Sequence, residues 1–189
     1  MKGEIYELKI KKYYHEYNIS CHDSSMPNMQ NNNQNESMNN NGEPSKIPTN
    51  NGDTFYVTNK SASITLENNT IVNNDSDGNF FKAQKDSWRN TNSNGGNVVL
   101  KMTNQSVKGN IVIDSISTLD ITLSDNSKYE GVINVKNEAK SIKLKLDKTS
   151  KITLTEDSYI TSLDNEDTTN SNIDFNGYKL YVNVVEINK

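Results

Sequence analysis

The sequence predicts an all-β chain wound as a short, stacked β-solenoid, and three observations lead there. From Asn97 to Leu154 the apolar residues alternate with polar ones in short bursts: Val98, Leu100, Met102; Ile111, Ile113; Leu119, Ile121, Leu123; Ile133, Val135; Ile142, Leu144, Leu146; Ile152, Leu154. A period of two is the pattern of strands that bury one face. The bursts also recur: Leu100 and Met102 return after 21 residues as Ile121 and Leu123, and after 23 more as Leu144 and Leu146. Ser127 and Tyr129 return in the same way as Ser150 and Ile152. A fixed repeat carried by strands alone implies coils that cover one another. Third, no segment places apolar residues at three-and-four spacing over three turns, so helices are not expected.

The totals agree with a solenoid and exclude several alternatives. Only 32% of the 189 residues are hydrophobic and the mean hydropathy is −0.83, too little for a large globular core. A solenoid tolerates this, because each coil buries only a few inward residues against its neighbours. Asparagine is the outlier, with 32 copies. Asn accepts left-handed backbone and bonds its own main chain, which suits tight corners; A/T-rich coding bias is the competing explanation. The net charge is −4 and Arg89 is the sole arginine, which argues against a nucleic-acid partner and leaves polysaccharides and proteins. Cys21 is alone, so it forms no disulfide within the chain. No apolar window reaches membrane-spanning length, and the first twenty residues carry lysines without an apolar signal core. The chain therefore reads as a piece of a longer product.

Taken in order, residues 1–23 hold one alternating run, Tyr6, Leu8 and Ile10, expected as a strand or terminus. His15, His22 and Cys21 lack the further ligands that a closed zinc site needs. Residues 24–53 are rich in Asn and Met with almost no aliphatic side chain, the composition of a disordered linker or inserted loop. The β-helix domain is expected over 54–189, with Ile64 and Leu66 as an earlier member of the Leu100 and Met102 series.

Residues 73–97 break the rhythm and form the expected functional excursion. Within it Asp75, Asp77 and Asn79 are spaced like the opening ligands of a calcium loop, although the later positions do not follow the EF-hand pattern. Trp88 and Arg89 either stack on a sugar or pack the excursion against the coil. Phe80 and Phe81 cannot both point inward from one strand, so one of them is expected to be exposed or covered by the loop. Residues 164–189 are read as a cap, in which Ile173, Phe175, Asn176-Gly177, Tyr178, Leu180 and Val182 form a hairpin or a last coil.

No catalytic set stands out. Neither histidine lies in the regular part, no glycine-rich phosphate loop is present, and Asp114, Asp120, Asp147 and Asp157 sit at or near turns, where carboxylates bond their own backbone.

The coil pattern and the phrases TNKSASITLENNTIVNNDSDGNFFKAQ, SNGGNVVLKMTNQSVKGNIVIDSISTLDITL and NSNIDFNGYKLYVN resemble bacterial surface proteins built on the right-handed parallel β-helix, the pectate-lyase-like fold. The nearest likeness is to their non-catalytic, carbohydrate-binding members. The resemblance covers roughly Thr54 to Asn183 and implies about four coils, an extracellular or cell-surface location, a polysaccharide or cell-wall glycan as partner, and calcium held between coils. Expected glycan contacts are Trp88, Arg89, Phe80 and Phe81; expected metal ligands are Asp75, Asp77 and Asn79. A purely structural stalk or cap of a larger surface protein is the first alternative, and a degraded polysaccharide lyase the second.

Overall fold

A computed structural model describes residues 5–11, 19–21, 52–76, 78–85 and 95–188, the first two segments as backbone strands only. These residues wind into a parallel β-solenoid of about 5 turns and contain no helix. The chain runs through β1 (Ile5–Lys11), β2 (Ile19–Cys21) and β3 (Phe55–Val57). It then climbs by turns: β4 (Ser61–Glu67), β5 (Thr70–Val72) and β6 (Phe81–Ala83); β7 (Asn97–Thr103), β8 (Ser106–Lys108) and β9 (Ile111–Ile113); β10 (Thr118–Ser124) and β11 (Lys128–Gly131). The last turns are β12 (Ser141–Leu146), β13 (Lys151–Leu154) and β14 (Ser158–Ile160), then β15 (Ser162–Asn165), β16 (Ile173–Asp174) and β17 (Leu180–Val182), with β18 (Val185–Ile187) at the end.

Three walls result. The first sheet is ordered β1-β4-β7-β10-β12-β15 and the second β16-β13-β11-β8-β5. The third begins as β2-β3-β6-β9 and narrows to the single bridge Ile111–Ile133. It resumes where the Tyr159 N–H donates to the Ile133 carbonyl at 2.9 Å and β14 pairs with β17.

The predicted stacks are present. Ile64, Leu100, Ile121 and Leu144 lie in one column of the first sheet, and Leu66, Met102, Leu123 and Leu146 in the next, all parallel and buried. The steps of 21 and 23 residues are thus each one climb of ~4.8 Å. Ile64 to Leu100 is one climb as well, lengthened by the excursion between them. The solenoid also extends further back than Thr54, because β1 pairs with β4 along all seven of its residues and adds a rung. Residues 22–51, most of the expected linker, lie outside the described residues; Gly52 and Asp53 lead into β3, and Asp53 is buried.

Corners account for much of the Asn content. Among the described residues, nine of the eleven non-glycine residues at positive φ are Asn, including Asn68, Asn104 and Asn126 at the bend between first and second sheets. Just after that bend runs a column of buried polar side chains: Asn69, Gln105, Ser127, Ser150 and Asn172. The Asn69 N–H donates to Gln105 Oε1 at 3.1 Å, the Gln105 N–H to Ser127 Oγ at 3.1 Å, and the Ser127 N–H to Ser150 Oγ at 3.2 Å. At two other bends Gly96 and Ile133 donate to Ser117 and Ser158 in the same way. Where the strand bends away from its neighbour, a side chain one turn on takes over the amide, so these five N–H groups keep a partner.

The cap resolves the choice between hairpin and last coil. Asn176-Gly177 turns β16 into β17, and both of those strands pair in parallel with the turn before, so they form a last coil. The antiparallel step comes later, as β17 pairs with β18 across Asn183 and Val184, both at positive φ.

Candidate functional site

The expected excursion over 73–97 is interrupted by β6, which returns to the wall and pairs with β3 and β9; residues 86–94 lie outside the described residues. The base of the part before β6 is tied by Asn73, whose Nδ2 donates to the Gly52 carbonyl at 2.8 Å, to Thr54 Oγ1 at 3.0 Å and to the Asn79 carbonyl at 2.9 Å. Its Oδ1 accepts the Asp75 N–H, making a tight Asx turn. Below it the buried Asp53 carboxylate accepts both the main-chain N–H and the side-chain amide of Asn79, at 2.8 and 2.7 Å, and lies 3.6 Å from Lys82 Nζ. Asn79 thus gives its amide to Asp53, and the cation facing that carboxylate is an ammonium of the chain itself. Among the described residues no group of three or more His, Cys, Asp or Glu is placed to hold a metal ion. Asp77 lies outside the described residues.

The aromatic pair needs correcting. Phe80 and Phe81 are both fully buried, each at 0% exposure, and so offer no ring to a glycan. Phe81 points inward from β6, while Phe80 precedes the strand at a bend, where alternation no longer decides direction. It packs edge-on against Phe55, with ring centres 5.6 Å apart. Trp88 and Arg89, the other expected contacts, lie outside the described residues.

The outer surface of the first sheet is a broad polar wall. Its outward rows are Ser63, Val99, Asp120, Lys143 and Ser162, and beside them Thr65, Lys101, Thr122, Lys145 and Asp164. Lys143 reaches Asp120 at 3.4 Å and Lys145 reaches Asp164 at 2.8 Å. The Asp164 hydrogen bond and charge raise the Lys145 pKa. Exposed pairs of this kind add little stability and keep the face charged and hydrated.

The turn carboxylates are structural. Asp114 accepts from the Ile116 N–H, the Ser117 hydroxyl and the Lys85 N–H. Asp147 accepts from Thr149 N–H and Oγ1, Ser150 N–H and Asp125 N–H, between 2.7 and 3.0 Å. Partial burial raises the Asp147 carboxyl, and the Asp125, Ser150 and Thr149 donors outweigh it, taking its pKa from 3.8 to about 2. The hydroxyls of Ser171 and Thr169 hold Asp167 well below the carboxylate range. Because the folded pKa of Asp147 lies below the unfolded one, its stabilisation is present at neutral pH and disappears as pH falls from about 4 to about 2. Wild type is expected to lose stability across that window, and Asp147→Asn to lose less, by at most about 1 kcal/mol given solvent screening. Urea midpoints measured at each pH for both proteins check this.

Among the described residues one stacked aromatic pair lies on the outside. Tyr159 of β14 and Tyr181 of β17 are register partners on the third wall, their rings parallel within 6° and 4.9 Å apart. Both are half-buried. Sequence reading placed Tyr181 in the cap and passed over Tyr159, yet the two are 22 residues apart, one coil of the repeat. Tyr178 is exposed nearby, whereas Phe175 packs against the core. Compared with family models, with curated proteins and with solved structures, the chain matches none. No described helix is long and apolar enough to cross a membrane. The described surface offers hydroxyls and paired charges in rows, and one stack of tyrosines.

Proposed function

We propose that this chain is a non-catalytic carbohydrate-binding or adhesion module of a bacterial surface protein, acting outside the cell on a polysaccharide or cell-wall glycan. The observation that carries the proposal is the outward polar wall. Its Ser, Thr, Asp and Lys side chains repeat at the rise of the coil, giving a long, shallow row of donors and acceptors. An extended polymer with hydroxyls along its length can lie across such rows and bond at many points, each weak and together sufficient. Rigidity favours this, since the corner ladders hold the rows in place before a ligand arrives. The folded chain is expected to be retained on cellulose, pectin or isolated cell-wall polysaccharide, with and without a chelator. Passage through all of them without delay would overturn the reading.

The second reading is a structural stalk that binds nothing, favoured by those same side-chain ladders, which stiffen every turn. A Lys101→Ala, Thr122→Ala double variant of the wall separates the two: a stalk is indifferent to it in every binding assay, whereas a module that binds along the rows weakens.

A further inference from the structure

We infer that the third wall carries a carbohydrate subsite formed by Tyr159 and Tyr181 with Lys179 and Glu186 as its polar arms, and that it takes one pyranose ring of a polysaccharide chain. The inference rests on the binding reading above and gives it a location outside the residues named from sequence. Its first support is that the fold does not require the stack. The outward column of this wall holds Tyr56, Lys82 and Val112 on earlier turns, so the position accepts an aromatic, a charged or an aliphatic side chain. The bore is packed by other residues, and neither ring belongs to the core cluster. Tyr56, at the opposite end of the column, is a different case: it is buried and its hydroxyl accepts the Gln84 amide at 3.0 Å.

The second support is the polar set beside the rings. The antiparallel return of β18 puts Glu186 directly across from Tyr181. Lys179 Nζ donates to Glu186 Oε2 at 3.0 Å, with side-chain exposures of 51% and 37%. A pyranose presents C–H groups on its ring face and hydroxyls around its edge. It is recognised by an aromatic surface together with a donor and an acceptor at the side. Each ring covers one face of the other, so the stack offers its outer edge and the far face of Tyr181, with the ammonium as donor and the carboxylate as acceptor on the strand pair beside it. Hydrogen bonds from Lys179 and Glu186 to hydroxyls would replace part of their mutual pairing, which costs little at so exposed a site.

The test takes whichever polymer retains the wild-type chain and measures retention of Tyr181→Ala, Tyr181→Phe, Lys179→Met and, as a control on the first wall, Lys101→Ala. Tyr181→Ala is expected to weaken binding about tenfold and Lys179→Met several-fold, with Lys101→Ala having a smaller effect than either. Tyr181→Phe, which keeps the ring, is expected to bind nearly as wild type, and a wild-type urea midpoint for Tyr181→Ala shows that its loss comes from the missing ring and not from unfolding. Titration of the matching oligosaccharide is expected to shift the ring-proton resonances of Tyr159 and Tyr181. Wild-type retention by folded Tyr181→Ala, with unshifted rings, overturns the subsite and leaves the module reading standing; a folded wild type that no polymer retains overturns both.

Discussion

Leu144→Ala is expected to lower the free energy of unfolding by about 2–4 kcal/mol, the range for emptying a buried leucine site. Leu144 is 2% exposed, with Ile121 one coil before it and Leu163 one coil after it in the same column. Its side chain therefore fills the bore between two turns whose backbones are fixed by their ladders, and the cavity left behind collapses poorly. In a solenoid the loss has a further consequence, because each turn is supported only by its neighbours. Weakening the contact in mid-stack uncouples the turns above from those below. Leu163→Ala removes the same group from the last turn, where the side chain is only partly buried, and is expected to cost about 1 kcal/mol. Urea denaturation followed by circular dichroism measures both; equal costs would mean that the column is not a continuous bore.

Much of this architecture was written in the spacing. Columns one coil apart were legible because the inward residues repeat at 21 and 23 residues, and the same interval joins Ser127 and Ser150, whose place in a polar column only the hydrogen bonds show. Legibility stops where a coil changes length or a strand bends. Ile64 and Leu100 are 36 residues apart, so the alternating burst around Ile64 and Leu66, and not the period, placed them in the series, and β6 is hidden inside what reads as one excursion. Alternation misjudged Phe80 because alternation is a property of straight strands and Phe80 stands at a corner. The hairpin from β17 to β18 carries Asn183-Val184 in place of an Asn-Gly signal, so its turn had no marker. The candidate surface was the least legible part. Glu186 comes opposite Tyr181 only through that unmarked turn, while Tyr159 and Tyr181 had the right interval and no burst of aliphatic residues to draw attention to it.

Gly131→Ala is expected to destabilise the chain by about 2–4 kcal/mol, an overpacking cost at the upper end for a single methyl. Gly131 ends β11, in register with Leu154 of the next coil. A Cβ there would run into the Gly109 carbonyl oxygen of the coil before and come within 2.7 Å of the Tyr129 hydroxyl. Neither neighbour can yield. Gly109 is held by its own N–H, which donates to the Glu130 carbonyl at 3.0 Å, so moving it strains the ladder between two turns. Tyr129 is buried in the bore, burial pushes its pKa well up, and its neutral hydroxyl donates to the Val132 carbonyl at 3.0 Å. Displacing that ring would take its buried hydroxyl away from the Val132 carbonyl, which the Ile111 N–H also occupies, and break the packing. Gly177→Ala supplies the comparison, since a Cβ at Gly177 meets nothing within 4 Å and only its φ of +83° resists substitution. That change is expected to cost about 1 kcal/mol. Tyr129→Phe in the Gly131→Ala background removes the hydroxyl from the clash and is expected to return part of the loss, so the two changes together should cost less than their sum. Equal effects of the two glycine substitutions, or strict additivity in the double variant, would mean that the coils have room between them at Gly131 and that their close approach does not hold the second wall together.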